Sequence, residues 1–107
     1  MSQKIKVLKP SGIFDGTKAS EFRQEINDLV QEGIKYILID LKKVSFMDSS
    51  GLGALVLILK TVRTAGGRLF LTSINEQIKM LFELTNMDKV FEIISDKEDL
   101  EQRLFKS

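Results

Sequence analysis

Eight residues, Ile34-Lys35-Tyr36-Ile37-Leu38-Ile39-Asp40-Leu41, constrain this chain more than any other stretch. The run is nearly continuously apolar and rich in β-branched side chains. A strand with one wet face would alternate; this pattern belongs to a strand covered on both faces, as in a sheet with parallel neighbours. It is therefore expected to be the central strand.

The flanking segments supply the covers. Lys4-Ile5-Lys6-Val7-Leu8-Lys9 roughly alternates charge with apolar side chains and reads as an edge strand, broken by Pro10-Ser11-Gly12. From Thr17 to Glu32, Ala19, Phe22, Ile26, Leu29 and Val30 recur at helical spacing, with Asp15 or Thr17 placed to cap and Gly33 to stop the helix. Leu52 to Leu59 is apolar nearly all round and continues through Val62 to Gly66-Gly67, which predicts a deeply packed helix. Leu69-Phe70-Leu71 reads as a short strand. Ser73 with Glu76 forms a capping-box pattern opening a helix with Ile78, Leu81, Phe82 and Leu84 on one face, ending near Asn86. Met80, Phe82 and Met87 fit core packing. Val90 to Ile94 is a final strand, and Ser95 with Glu98 is a second capping box before Leu100 and Leu104. Strands alternating with helices predict an α/β fold: a small mixed, mainly parallel sheet of about four strands packed with about four helices, residues 1–107 forming one domain.

Composition narrows the chemistry. A 107-residue chain can carry one core without disulfides or a structural metal, and this one has no cysteine. It also has no histidine, which removes Ser-His-Asp triads, His-ligated zinc and imidazole general bases. Sixteen Lys and Arg against fifteen Asp and Glu leave a charge of +1, too little basic excess for phosphate-backbone binding. The longest apolar run, Ala54 to Leu59, is far short of a bilayer span, and no apolar stretch follows Met1-Ser2-Gln3-Lys4. The expectation is a cytoplasmic protein with no cofactor, no metal, no direct nucleic acid and no membrane. With a wet edge strand, it is expected to be a monomer or a weak homodimer.

Only one stretch has the makings of a site: Phe46-Met47-Asp48-Ser49-Ser50-Gly51-Leu52-Gly53, between the buried strand and the buried helix. Open α/β sheets place their functional groups at such carboxyl ends, and the free N–H groups of the following helix can receive an anion. Asp48, Ser49 or Ser50 can each cap that helix, and Gly51 and Gly53 would permit close packing of helix on sheet. A dinucleotide fingerprint starting at Gly51-Leu52-Gly53 fails because Val56 stands at the third glycine position. A serine nucleophile fails too, since the Gly-x-Ser-x-Gly elbow is missing and no histidine is available as base. What remains beside a plain cap is a covalent switch. A phosphoserine adds about −1.5 to −2 of charge, which a helix N-terminus tolerates and a docked partner does not.

Val44-Ser45-Phe46-Met47-Asp48-Ser49-Ser50-Gly51-Leu52-Gly53 closely resembles the phosphorylation motif of the anti-sigma factor antagonists, members of the sulfate transporter and anti-sigma factor antagonist (STAS) domain family. Gly12-Ile13-Phe14-Asp15 resembles that family's early strand-to-helix turn, and Ser73-Ile74 to Phe82 the segment opening its third major helix. The resemblance implies Ser49 as phosphoacceptor, supported by Asp48, Ser50 and Gly51. It implies partner contacts from Asp15, Thr17, Met47, Leu52 and Gly53. By their side-chain chemistry, Phe46 and Met47 each suit an exposed apolar contact at a partner surface or, equally, a core position. The implied partners are an anti-sigma factor that is also a serine kinase, bound by the unphosphorylated form and released on phosphorylation, and a serine phosphatase that resets the switch. The same fold without the switch would be a scaffold or ligand-binding module in another regulatory complex. Members of the family begin with a two-strand hairpin, whereas one convincing strand precedes Gly12 here. Lys42-Lys43 reads as a solvated pair able to attract an acidic partner.

Overall fold

The computed structural model describes residues 5–105; Lys4, where the first strand was expected to open, and the rest of the Met1 to Lys4 start lie outside the described residues. The elements are β1 (Ile5–Leu8), β2 (Gly12–Phe14), α1 (Gly16–Gln31), β3 (Tyr36–Asp40), β4 (Val44–Met47), α2 (Ser49–Thr64), β5 (Arg68–Thr72), α3 (Glu76–Leu84), a 3-10 turn at Met87–Lys89, β6 (Glu92–Ile94) and α4 (Lys97–Phe105).

A four-stranded sheet runs β1-β3-β5-β6, and every pairing among the described residues is parallel. β3 is an inner strand, as its apolar run predicts, and β1 is an edge. Successive crossovers step in one direction across the sheet, so crossovers of one hand leave their helices on one face. That face carries the larger core, where Ile37, Ile39, Leu69 and Leu71 meet Phe22, Ile26 and Leu29 of α1, Leu55, Ile58 and Val62 of α2, and Ile78 and Phe82 of α3. The alternate side chains Leu38, Phe70 and Ile94 face the other way, where Leu100 of α4 covers them. Both faces of β3 are thus dry. Among the described residues, no helix is long and apolar enough to cross a membrane.

The helix stops behave as their residues require. Gly33 and Gly66 take positive φ, and the amides behind them, Ile34 N–H and Gly67 N–H, reach back to the carbonyls of Leu29 and Val62. The starts need correction. Asn75, not Ser73, caps α3 by accepting from Ile78 N–H, while Ser73 sits in the left-handed region at φ 63°. Asp96, not Ser95, caps α4 by accepting from Asp99 N–H at 2.8 Å. Helix α2 begins at Ser49, ahead of the apolar run, because Asp48 caps it. Met80 and Leu84 are 60% and 77% exposed, not core. Each lies two residues from buried Phe82, about 200° round the helix, so burying Ile78 and Phe82 turns them outward.

Candidate functional site

Two further short strands, β2 and β4, pair parallel with each other outside the main sheet. Each runs straight into a helix start, so their pairing sets the first turns of α1 and α2 side by side. Gly12 N–H donates to the Lys43 carbonyl at 2.9 Å, and a bulge then shifts the register so that Ile13 faces Phe46 and Phe14 faces Met47. The first pair lies open, Ile13 59% and Phe46 45% exposed. The second pair is fully buried.

Both helix starts are capped by aspartate. Asp15 Oδ1 accepts from Lys18 N–H at 3.0 Å, and Asp48 Oδ1 accepts from Gly51 N–H at 2.8 Å. The Ser50 hydroxyl joins the two turns: it donates to Asp48 Oδ1 at 2.7 Å and accepts from Gly16 N–H at 3.0 Å. The N–H of Gly51 and the hydroxyl of Ser50 together hold the Asp48 carboxyl below its ordinary range, because both bonds favour the charged form. The Ser49 hydroxyl takes no part in this network, and Ser49 is exposed.

Glycine is compulsory at position 51. A Cβ on Gly51 would run into the carbonyl group and ring of Phe14, so the α2 backbone rests directly on the end of β2. At Gly53 the expected close packing is absent: the residue is exposed and a Cβ there would meet nothing within 4 Å.

Two residues that sequence reasoning missed hold the far side of β4. Gln77 accepts from Met47 N–H at 2.9 Å and donates to the Met47 carbonyl at 2.8 Å, closing the strand edge as a neighbouring strand would. Asn75 donates to the carbonyls of Val44 and Ser45 at 3.3 and 3.2 Å. Polar side chains at a helix start were the only available hint, and their targets lie about 30 residues earlier.

The expected site residues therefore divide. Asp48, Ser49, Ser50 and Gly51 form one turn, with Asp15 and Thr17 on the adjoining turn. Thr17, Ser49, Ser50, Gly53 and Phe46 are exposed. Met47 and Leu52 are 0% and 4% exposed, which corrects their expected role as direct contacts and decides for Met47 in favour of the core alternative. The bulge puts Met47 on the inner side of β4, and Leu52 falls on the buried stripe of α2 with Leu55 and Leu59. Among the described residues, no group of His, Cys, Asp or Glu gathers as a metal site.

The sequence model of the STAS domain matches residues 2–100. The chain belongs to the STAS domain family. Within it, this STAS domain is 34% identical over 88 residues to the anti-sigma-B factor antagonist of Bacillus subtilis strain 168, covering 82% of this chain and 80% of that protein. The solved structure of a Thermotoga maritima protein assigned as an anti-sigma factor antagonist superposes with a TM-score of 0.86 at 27% identity, covering 97% of this chain and 90% of that one. The phosphorylated form of the Bacillus cell fate determinant SpoIIAA shares the fold, with a TM-score of 0.71 at 19% identity, over 96% of this chain and 94% of that one. The domain thus falls in the anti-sigma factor antagonist group, whose members are regulators rather than catalysts.

Proposed function

We propose that this STAS domain is a partner switch whose unphosphorylated form docks on an anti-sigma factor with serine kinase activity and is released when Ser49 is phosphorylated, a serine phosphatase restoring the first state. One contrast carries the reading. Of the two adjacent serines, Ser50 has its hydroxyl committed to Asp48 and Gly16, whereas Ser49 is exposed and outside that network. A kinase would reach Ser49 without dismantling the cap.

The surroundings suit a charge-operated veto. Ile13 and Phe46 lie open on the strands leading into the turn, an apolar ledge of the kind partners cover. A phosphoryl group beside it adds about −1.5 to −2 of charge, tolerated by the α2 start in the free protein and costly once a partner excludes water. Losing such a contact costs ~2–5 kcal/mol, enough to empty the complex. Asp48 supports the site by fixing the turn through Ser50 and Gly51.

The test uses wild type, Ser49→Ala and Ser49→Asp as baits for a cognate kinase with ATP present. The alanine variant is expected to stay bound and the aspartate variant to bind weakly, with peptide mapping placing the added phosphate on Ser49. Equal retention of all three would end the switch reading and leave a scaffold module.

A further inference from the structure

Away from Ser49, the carboxyl ends of β1, β3 and β5 border a hollow of about 330 Å³, with Asp96 and Lys97 of the α4 start closing its side. Val7 and Leu38 give it apolar wall; both belong to the smaller core under α4. Lys9 and Lys97 bring ammonium groups and Ser73 a hydroxyl, while the Thr72 hydroxyl already donates to the Ser95 carbonyl at 2.8 Å. This is the edge where parallel sheets hold ligands, and the volume suits a small molecule.

Charge decides which ligand fits. The two carboxylates at the hollow are each held to their own turn, Asp40 Oδ1 accepting from Lys42 N–H at 2.9 Å and Asp96 Oδ1 from Asp99 N–H at 2.8 Å, bonds that fix an oxygen and leave the charge in place. Lys97 has only an exposed contact with Glu101 at 3.9 Å, a separation at which such pairs hold little. A second hollow of about 280 Å³ shares Lys9 and Asp40 and adds Lys42 and Lys43, so the two hollows together are lined by four lysines against two aspartates and the surroundings are net positive. Ser73 lines the first hollow with a left-handed backbone, a conformation that non-glycine residues adopt at an energetic cost and that concentrates at ligand sites.

We infer that this hollow binds a small organic anion, its apolar body against Val7 and Leu38 and its carboxylate or phosphate between Lys9 and Lys97. The site is independent of the Ser49 switch.

Amide chemical shifts of ¹⁵N-labelled full-length protein, followed during titration with benzoate, phenyl phosphate, benzamide and inorganic phosphate, test this. Benzoate and phenyl phosphate are expected to give saturating shifts at Lys9, Asp40, Ser73 and Lys97, the tighter of the two identifying the head group. Benzamide and inorganic phosphate each lack half of the ligand and should bind about tenfold more weakly or not at all. The combined Lys9→Gln and Lys97→Gln variant should lose a similar factor, while Lys60→Gln on α2 leaves binding unchanged. Benzamide or inorganic phosphate binding as tightly as benzoate, or shifts that never saturate, would overturn the assignment.

Discussion

The α-carbon of Gly51 sits against the backbone carbonyl of Phe14, so the first turn of α2 has no room for any side chain where it crosses the end of β2. This close approach, with the Ser50 bond to Gly16 N–H, makes the two helix starts one rigid unit. Gly51→Ala must push α2 off β2, and the obstacle is backbone rather than a side chain that can swing aside. We expect a loss of about 1–3 kcal/mol or more, read as a lower urea midpoint. A variant as stable as wild type would show that the turn relaxes freely.

Gln77 offers a cleaner probe of the site's far wall. Gln77→Leu keeps side-chain bulk but leaves the Met47 N–H and carbonyl without partners, at a cost of about 1–3 kcal/mol. Gln77→Glu should be as damaging at neutral pH, where a carboxylate can accept from the N–H but repels the carbonyl. On acidification the protonated acid regains one donor and one acceptor, so its deficit relative to wild type should narrow as pH falls. A deficit independent of pH would mean that the clamp is only packing.

These two relationships also mark what the sequence could show. β3 was legible because burial on both faces leaves a continuous apolar run, and the helix stops were legible because Gly33 and Gly66 act locally. β4 escaped, and β2 was foreshadowed only by the likeness of Gly12-Ile13-Phe14-Asp15 to a strand-to-helix turn, because strands of four and three residues have too few positions for a period to emerge, and each is defined by pairing with the other. The bulge compounds this: Val44 and Met47 are buried while Ser45 and Phe46 are exposed, which no alternation rule yields. Choosing between Ser49 and Ser50 by chemistry alone was equally out of reach. The Gly16 N–H that engages Ser50 comes from 34 residues earlier.

Acid stability should carry the signature of Asp48. Its folded pKa lies below the reference value of 3.8, chiefly through the Gly51 N–H and then the Ser50 hydroxyl. A carboxylate depressed in the folded state binds fewer protons there than when unfolded. Its contribution is therefore complete above the unfolded pKa and lost as pH falls through the folded one. Asp48→Asn keeps a capping oxygen that does not titrate. The stability advantage of wild type over this variant should be constant near neutrality and shrink below about pH 4. Paired urea titrations across that range check it; an advantage that grows on acidification would contradict the sign.

Gly53 separates folding from docking more sharply than any other residue in the motif. Ser49, Gly53 and Leu57 follow one another at four-residue spacing on α2 and are all exposed, so they share one stripe running away from the switch. Among the described residues nothing uses the missing side chain of Gly53, yet glycine inside a helix costs roughly 0.5–1 kcal/mol relative to alanine. Gly53→Ala should accordingly raise the unfolding free energy by about that amount, with an unchanged denaturant slope. If the partner's backbone approaches this stripe while it docks at Ser49, the added methyl must weaken the complex, by about 1–3 kcal/mol where the interface cannot yield. Stability up and affinity down from one methyl group cannot come from a folding defect. Stability up with affinity unchanged would confine docking to the strand ends around Ile13 and Phe46.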